Sequence, residues 1–171
     1  MEEAIINRVA KSGIVTIDLA QYFPQEEIVT ADIKGWLFHG IILKEKEFRQ
    51  HLDDHNWSQY AGKTVCITCT ADAIIPLWAY MLVAAKLQPF TNNYIFGTRA
   101  NYLSQHYTKV LQEVINPAEF TDKRVVVKGC AEKDVPASAY VEITRLLLPV
   151  AKTIMFGEPC STVPVYKKPK A

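Results

Sequence analysis

The chain has 171 residues, 49% hydrophobic and 22% charged, with a net charge of +1. That length and balance fit one globular domain, residues 1–171, which buries about two thirds of its unfolded surface. The near-neutral charge offers no field to recruit nucleic acid or an acidic membrane, and no apolar run approaches the ~18 residues of a membrane helix.

The acidic start, Met1-Glu2-Glu3, is followed by no charged-then-apolar signal segment, so the expected compartment is the cytoplasm. Residues 4–11 read as a short helix ended by Ser12-Gly13. Residues 14–19 and 27–33 read as strands, with a turn at residues 22–25 between them. Together residues 1–40 form an N-terminal β extension packed on the core that follows, residues 41–157. The stretch 32–43 fits either a helix capped at Asp32 with a strand after it or one strand; Gly40 favours a break. His39 lies among apolar residues and reads as structural rather than as a ligand. Residues 44–55 form a charged amphipathic helix with Phe48 and Leu52 inward.

The core contains one stretch twice. Residues 63–97 fall on residues 123–157 at an offset of 60 with no gap, and 10 of 35 positions are identical, where chance gives about two. The matches include punctuation: Pro76 with Pro136, Pro89 with Pro149, and Gly97 with Gly157. Each copy reads as a short apolar strand, a polar break, a proline opening an apolar helix, a second proline ending it, and a short run closing in Phe-Gly. Strand, helix, strand in ~35 residues is a βαβ unit. The continuously apolar strands suit a parallel sheet covered on both faces. Tyr60 and Phe120 occupy matching lead-ins. Between the copies, residues 101–115 form a helix with Leu103, Tyr107, Val110, Leu111 and Val114 in one stripe. Residues 158–171 are an extended tail ending in solvated lysines. The fold class is therefore α/β: a mostly parallel sheet built on a duplicated β-α-β unit, with an N-terminal β extension.

Several runs are distinctive: Trp57-Ser58-Gln59-Tyr60, residues 71–80, Val127-Lys128-Gly129-Cys130, residues 138–146, and residues 156–164. In these the chain resembles a bacterial family of unknown function, over nearly its whole length. The resemblance implies no activity and carries over no functional residue.

Chemistry rests on the cysteines, which are thiols or ligands in a reducing compartment. Cys66 and Cys69 form a C-x-x-C on a predicted strand, where residues three apart face opposite sides, so they do not share one metal. Cys66 then reads as a buried small residue. Cys69 and Cys130 end the two duplicated strands, and Cys160 follows the last strand. Ligands of parallel α/β sheets bind beyond the carboxyl ends of strands, so Cys69, Cys130 and Cys160 are the candidate site. Zinc or an iron–sulfur cluster suits three thiolates. A reactive thiol beside a helix N-terminus is the metal-free version, and plain core packing is the bland one. Asp72, Lys128, Glu132 and Asp134 lie near the same edge, with Asp72 and Asp134 expected as helix caps. No nucleophilic triad or paired-histidine motif occurs, and whether the chain is an enzyme stays open. The alternative is a homo-oligomeric binding protein without catalysis. Residues 74–88 carry one charge, Lys86, and are apolar on every face. Such a helix needs cover all round, which predicts a twofold homodimer with Trp78, Met81 and Leu82 near the contact.

Overall fold

The computed structural model describes residues 13–129, 132–158 and 160–169. The helix expected at residues 4–11 lies outside them. In chain order the described elements are β1 (Ile14–Asp18), β2 (Ile28–Asp32), α1 (Glu45–Asp54), β3 (Thr64–Thr68), α2 (Leu77–Leu87), β4 (Tyr94–Phe96), α3 (Arg99–Val114), β5 (Arg124–Lys128), α4 (Ala137–Leu147), β6 (Thr153–Glu158) and β7 (Ser161–Lys167). The fold is mixed α/β with mostly parallel strands. No described helix is long and apolar enough to cross a membrane.

The strands form two sheets, ordered β1-β5-β6-β7 and β2-β3-β4. All pairings are parallel except β6 with β7, the hairpin made by the proline-containing tail. The chain divides accordingly into two compact units, one of Met1–Phe23 with Leu103–Ala171 and the other of Pro24–Tyr102. The N-terminal β segment thus supplies an edge strand to each sheet. β1 lies in register with β5, Asp18 opposite Lys128, and β2 with β3, Asp32 opposite Thr68.

The two repeated stretches have the same local structure at an offset of 60. β3 and β5 span 64–68 and 124–128, and α2 and α4 span 77–87 and 137–147. Each helix is preceded by a proline whose carbonyl accepts an N–H from the first turn, Ala79 to Pro76 at 3.0 Å and Ala139 to Pro136 at 2.9 Å. Pro76 and Pro136 are therefore the N-caps, just outside the helix rather than in its first turn.

Each unit has its own core. In residues 24–102, Val65 and Ile67 of β3 pack with Phe48, Leu52, Ala79, Val83 and Leu87. Trp57 closes the bottom, its indole N–H donating to the Leu52 carbonyl at 2.7 Å. In the other unit, Val125 and Val127 of β5 pack with Tyr107, Leu111, Ala139, Ile143 and Leu147. The buried Tyr107 hydroxyl donates to the Leu19 carbonyl at 3.0 Å. Burial, helped by Tyr140 and Asp18, pushes its pKa up to about 12. One member of the expected α3 stripe departs from it: Val114 is exposed, and Ile115, just past the helix, is buried instead. A straight 3.6-residue period carries no information about where the last turn ends.

Near the end of β6, Gly157 pairs with Thr162 of β7 at φ +117, and an added Cβ there would sit 2.6 Å from the Ser161 carbonyl oxygen. Both the backbone angle and the hairpin reject a side chain there. Gly157→Ala is expected to lower stability by about 2–3 kcal/mol. Gly40→Ala has a positive φ of +74 but open space around it, and is expected to cost about 1 kcal/mol. Urea midpoints of the two variants check this; equal midpoints would refute the steric argument.

Candidate functional site

Parallel strands bring their carboxyl ends to one edge, and in both units this edge has the same construction. An aspartate ends the first strand. Asp18 Oδ1 accepts the Ala20 N–H at 3.0 Å, and Asp32 Oδ1 accepts the Lys34 N–H at 3.0 Å. Each bond turns the chain at once into a 3-10 turn, Leu19–Tyr22 or Ile33–Trp36, because an aspartate side chain imitates the backbone two residues on. Each helix then sends a tyrosine to the same edge, Tyr140 or Tyr80, with its ring edge-on to Phe156 or Phe96 at 5.7 and 4.8 Å. The Tyr140 hydroxyl occupies the space a Cβ on Gly129 would need, so a larger residue there would have to displace it.

The polar partners differ. Beside Asp18, Lys128 Nζ lies 3.6 Å from Asp18 Oδ2 and 3.4 Å from Glu158 Oε1. Beside Asp32, Thr70 donates its N–H at 3.1 Å and its hydroxyl at 2.5 Å. Burial opposes ionisation of Asp32, but the Thr70 hydroxyl and the Lys34 and Thr70 N–H groups outweigh it and hold the carboxyl below its usual range. Burial raises Tyr80, reinforced by Cys69 and Asp32, and raises Tyr140, reinforced by Asp18. Tyrosines shifted upward are poor bases, and a lysine paired on both sides is a poor nucleophile.

Of the cysteines, Cys69 stands near Tyr80 at this edge. Cys66 is fully buried on β3, and burial pushes its thiol up, against a smaller opposing effect of Arg99. Cys69 is half-buried just past β3 and packs on the core of its unit. Cys160 is exposed in the β6–β7 turn of the other unit. Cys130 lies outside the described residues. Among the described residues no group of three His, Cys, Asp or Glu is placed to hold a metal ion. α2 begins at Leu77, eight positions after Cys69, so the helix N-terminus does not follow that thiol closely. Asp72, Glu132 and Asp134 are exposed in loops. Asp72 and Asp134 cap nothing: neither α2 nor α4 has a side-chain cap bond. Of the expected edge residues only Lys128 joins a described cluster.

Asp18, Asp32, Tyr80 and Tyr140 escaped the sequence reading. The signal was present: Ile-Val-Thr-x-Asp occurs at residues 14–18 and again at 28–32, and Tyr80 with Tyr140 is one of the ten identities.

A second feature of the larger unit is an apolar cavity of about 550 Å³ between α4 and the β6–β7 hairpin, with Tyr140, Val141, Leu148, Met155, Phe156 and Val165 in its wall. Arg145 stands at its rim, donating Nε to Glu142 Oε2 at 2.9 Å and Nη2 to Glu142 Oε1 at 2.6 Å. Gln112 donates to the same carboxylate at 2.8 Å.

The family model described as "Protein of unknown function (DUF2480)" matches residues 3–168. The chain belongs to that family. No curated protein and no solved structure matches it.

Glu142 gives the site a pH signature. Hydrogen bonds from Arg145 and then Gln112, against burial, lower its pKa from 4.5 to about 2. A depressed carboxylate stabilises the fold above its unfolded pKa and loses that contribution as pH falls through its folded one. Glu142→Gln is therefore expected to lower the urea midpoint at neutral pH, with the gap to wild type closing between about pH 4.5 and 2. A gap independent of pH over that window would refute the assignment.

Proposed function

We propose that the protein is a homo-oligomeric interaction protein, working as a twofold dimer through the outer face of α2. One observation carries the reading. α2 buries Ala79, Val83 and Leu87 against its own unit, yet Leu77 and Met81 on its outer face are 79% and 71% exposed, and Ile74 just before it is 95% exposed. Its single charge, Lys86, is drawn aside to Asp53 at 2.7 Å. A neutral apolar stripe of this kind marks a contact surface, and a twofold axis satisfies it with a copy of itself. Trp78 and Leu82 pack inward, half-buried on the core of their unit, which moves the centre of the contact to Leu77 and Met81. Leu77→Glu with Met81→Glu is expected to convert a micromolar dimer to monomer, weakening association at least ~100-fold, about 2.7 kcal/mol, in sedimentation experiments. A monomeric wild type would overturn the dimer. Zinc or iron near one per chain in protein purified without chelator would transfer the proposal to Cys69, Cys130 and Cys160.

We further infer that the two units descend from one duplicated module. The matching helix and strand bounds support this, as does the recurrence of Ile-Val-Thr-x-Asp at residues 14–18 and 28–32, one copy in each sheet. A module of that origin closes its own core, so residues 24–102 expressed alone are expected to unfold cooperatively in urea. A fragment without a cooperative transition would count against the duplication.

A further inference from the structure

The two sheets correspond strand for strand, β1-β5-β6 with β2-β3-β4, up to one difference. Beyond β6 the first sheet continues with β7, whereas among the described residues no strand pairs with the outer side of β4. The backbone follows the same path in both. Ile154 and Phe156 of β6 pair with Tyr166 and Val163 of β7, and Gly157, at φ +117, pairs with Thr162. At an offset of 60 the same places hold Tyr94, Phe96 and Gly97, and Gly97 has φ +132.

The ladder to β3 fixes which backbone groups of β4 are left over. The Val65 N–H donates to the Asn93 carbonyl at 2.9 Å, and the Gly97 N–H donates to the Ile67 carbonyl at 2.9 Å. Successive residues of a strand turn their backbone groups to opposite sides, so Asn93, Ile95 and Gly97 face β3. The N–H and C=O of Tyr94 and Phe96 face the open side. Such an edge is a template for another strand. Tyr94-Ile95-Phe96 holds neither the charge nor the proline that commonly blocks one.

The side chains beside this edge are apolar too. Tyr94 and Phe96 lie opposite Val65 and Ile67, on the face that α2 covers, and the Phe96 ring meets Tyr80 of α2. Phe96 is 66% exposed, against 47% for Phe156, which has β7 beside it. In the other unit Val141 of α4 faces the side that β7 occupies, lining one cavity with Phe156 and Val165. Met81 of α2 holds the place of Val141, so the exposed stripe of α2 and the open edge of β4 belong to one surface.

We infer that β4 pairs antiparallel with β4 of a second copy, joining two three-stranded sheets into one; this rests on the α2 dimer proposed above and names its backbone contact. The edge is its own complement. A twofold axis at Ile95 sets each Tyr94 against Phe96 of the other copy, so every outward N–H meets an outward C=O. Ile95 faces its own copy across the axis as the non-hydrogen-bonded pair, with Cα atoms about 4.5 Å apart. The pairs across the joint on the α2 face are aromatic on aromatic, a favourable cross-strand combination. The axis is perpendicular to the sheet, so both α2 helices lie on the same face. An isologous contact of this kind closes at two copies and uses up the edge.

The test combines sedimentation of full-length wild type, Phe96→Pro and Phe96→Ala with amide hydrogen exchange of wild type read by mass spectrometry. Proline at 96 removes an outward N–H that β3 does not use, whereas alanine removes the ring and keeps the N–H. Wild type is expected to dimerise, and Phe96→Pro to associate at least ~10-fold more weakly than Phe96→Ala. The Tyr94 and Phe96 amides are expected to exchange at least ~10-fold more slowly in the dimer than after dilution to monomer, a readout that holds even if Phe96→Pro does not fold. A dimeric wild type whose Phe96→Pro and Phe96→Ala variants associate equally, or whose two amides exchange fast at every concentration, would overturn the strand pairing and leave the α2 contact intact. A monomeric wild type would overturn both. Slow exchange of both amides in the monomer would also overturn the pairing, in favour of residues of the same chain covering β4.

Discussion

Everything in this molecule depends on two strands that show water neither face. Val65, Cys66 and Ile67 in one sheet and Val125, Val126 and Val127 in the other are all 0–4% exposed. A strand in that position must be paired on both edges and covered above and below. The first demand places β2 and β4 beside β3, and β1 and β6 beside β5. The second places a helix on each sheet, α2 or α4, entered through a proline and left through a proline. Those helices deliver Tyr80 and Tyr140 to the carboxyl ends. The edge chemistry is a by-product of satisfying the central strand.

The local units were legible in the sequence because their signals are local. Proline, glycine and apolar runs fixed α2, α4 and the strands beside them to within a residue or two, and the offset of 60 paired them. The division into two sheets was not legible. β1 and β2 are near-copies that follow each other in sequence, yet one joins β5 and the other β3; strand composition does not encode a partner a hundred residues away. At the candidate site, sequence reasoning went to the residue type with the most distinctive chemistry. Cysteine chemistry is conspicuous in a list, but Cys69 and Cys160 belong to different units, and the described edge clusters are built from aspartate, tyrosine and lysine. Common residues become a pattern only when the register shows Asp18 facing Lys128 and Asp32 facing Thr68.

The two units use one scaffold with different endings. Where one has Lys128 and Glu158 the other has Thr68 and Thr98 at the same offset. The first edge is held by ion pairs, the second by hydrogen bonds from Thr70 to Asp32. The β7 hairpin adds a fourth strand to one sheet; nothing described pairs with the free side of β4 in the other. The differences between the two units lie at strand ends and sheet edges, where a substitution leaves the central strand untouched.

The chain order has a consequence for biosynthesis. β1 is made first but pairs with β5, and every strand of the other unit, β2 to β4, is made in between. A ribosome releasing this chain from its N-terminus presents residues 24–102 as a closed set of short-range contacts well before β5 exists. The inner unit is thus free to form while Ile14 to Asp18 still waits as an unpaired apolar strand. The later unit must close a loop that already holds a folded body, so the entropy of that closure is reduced by everything the inner unit has compacted.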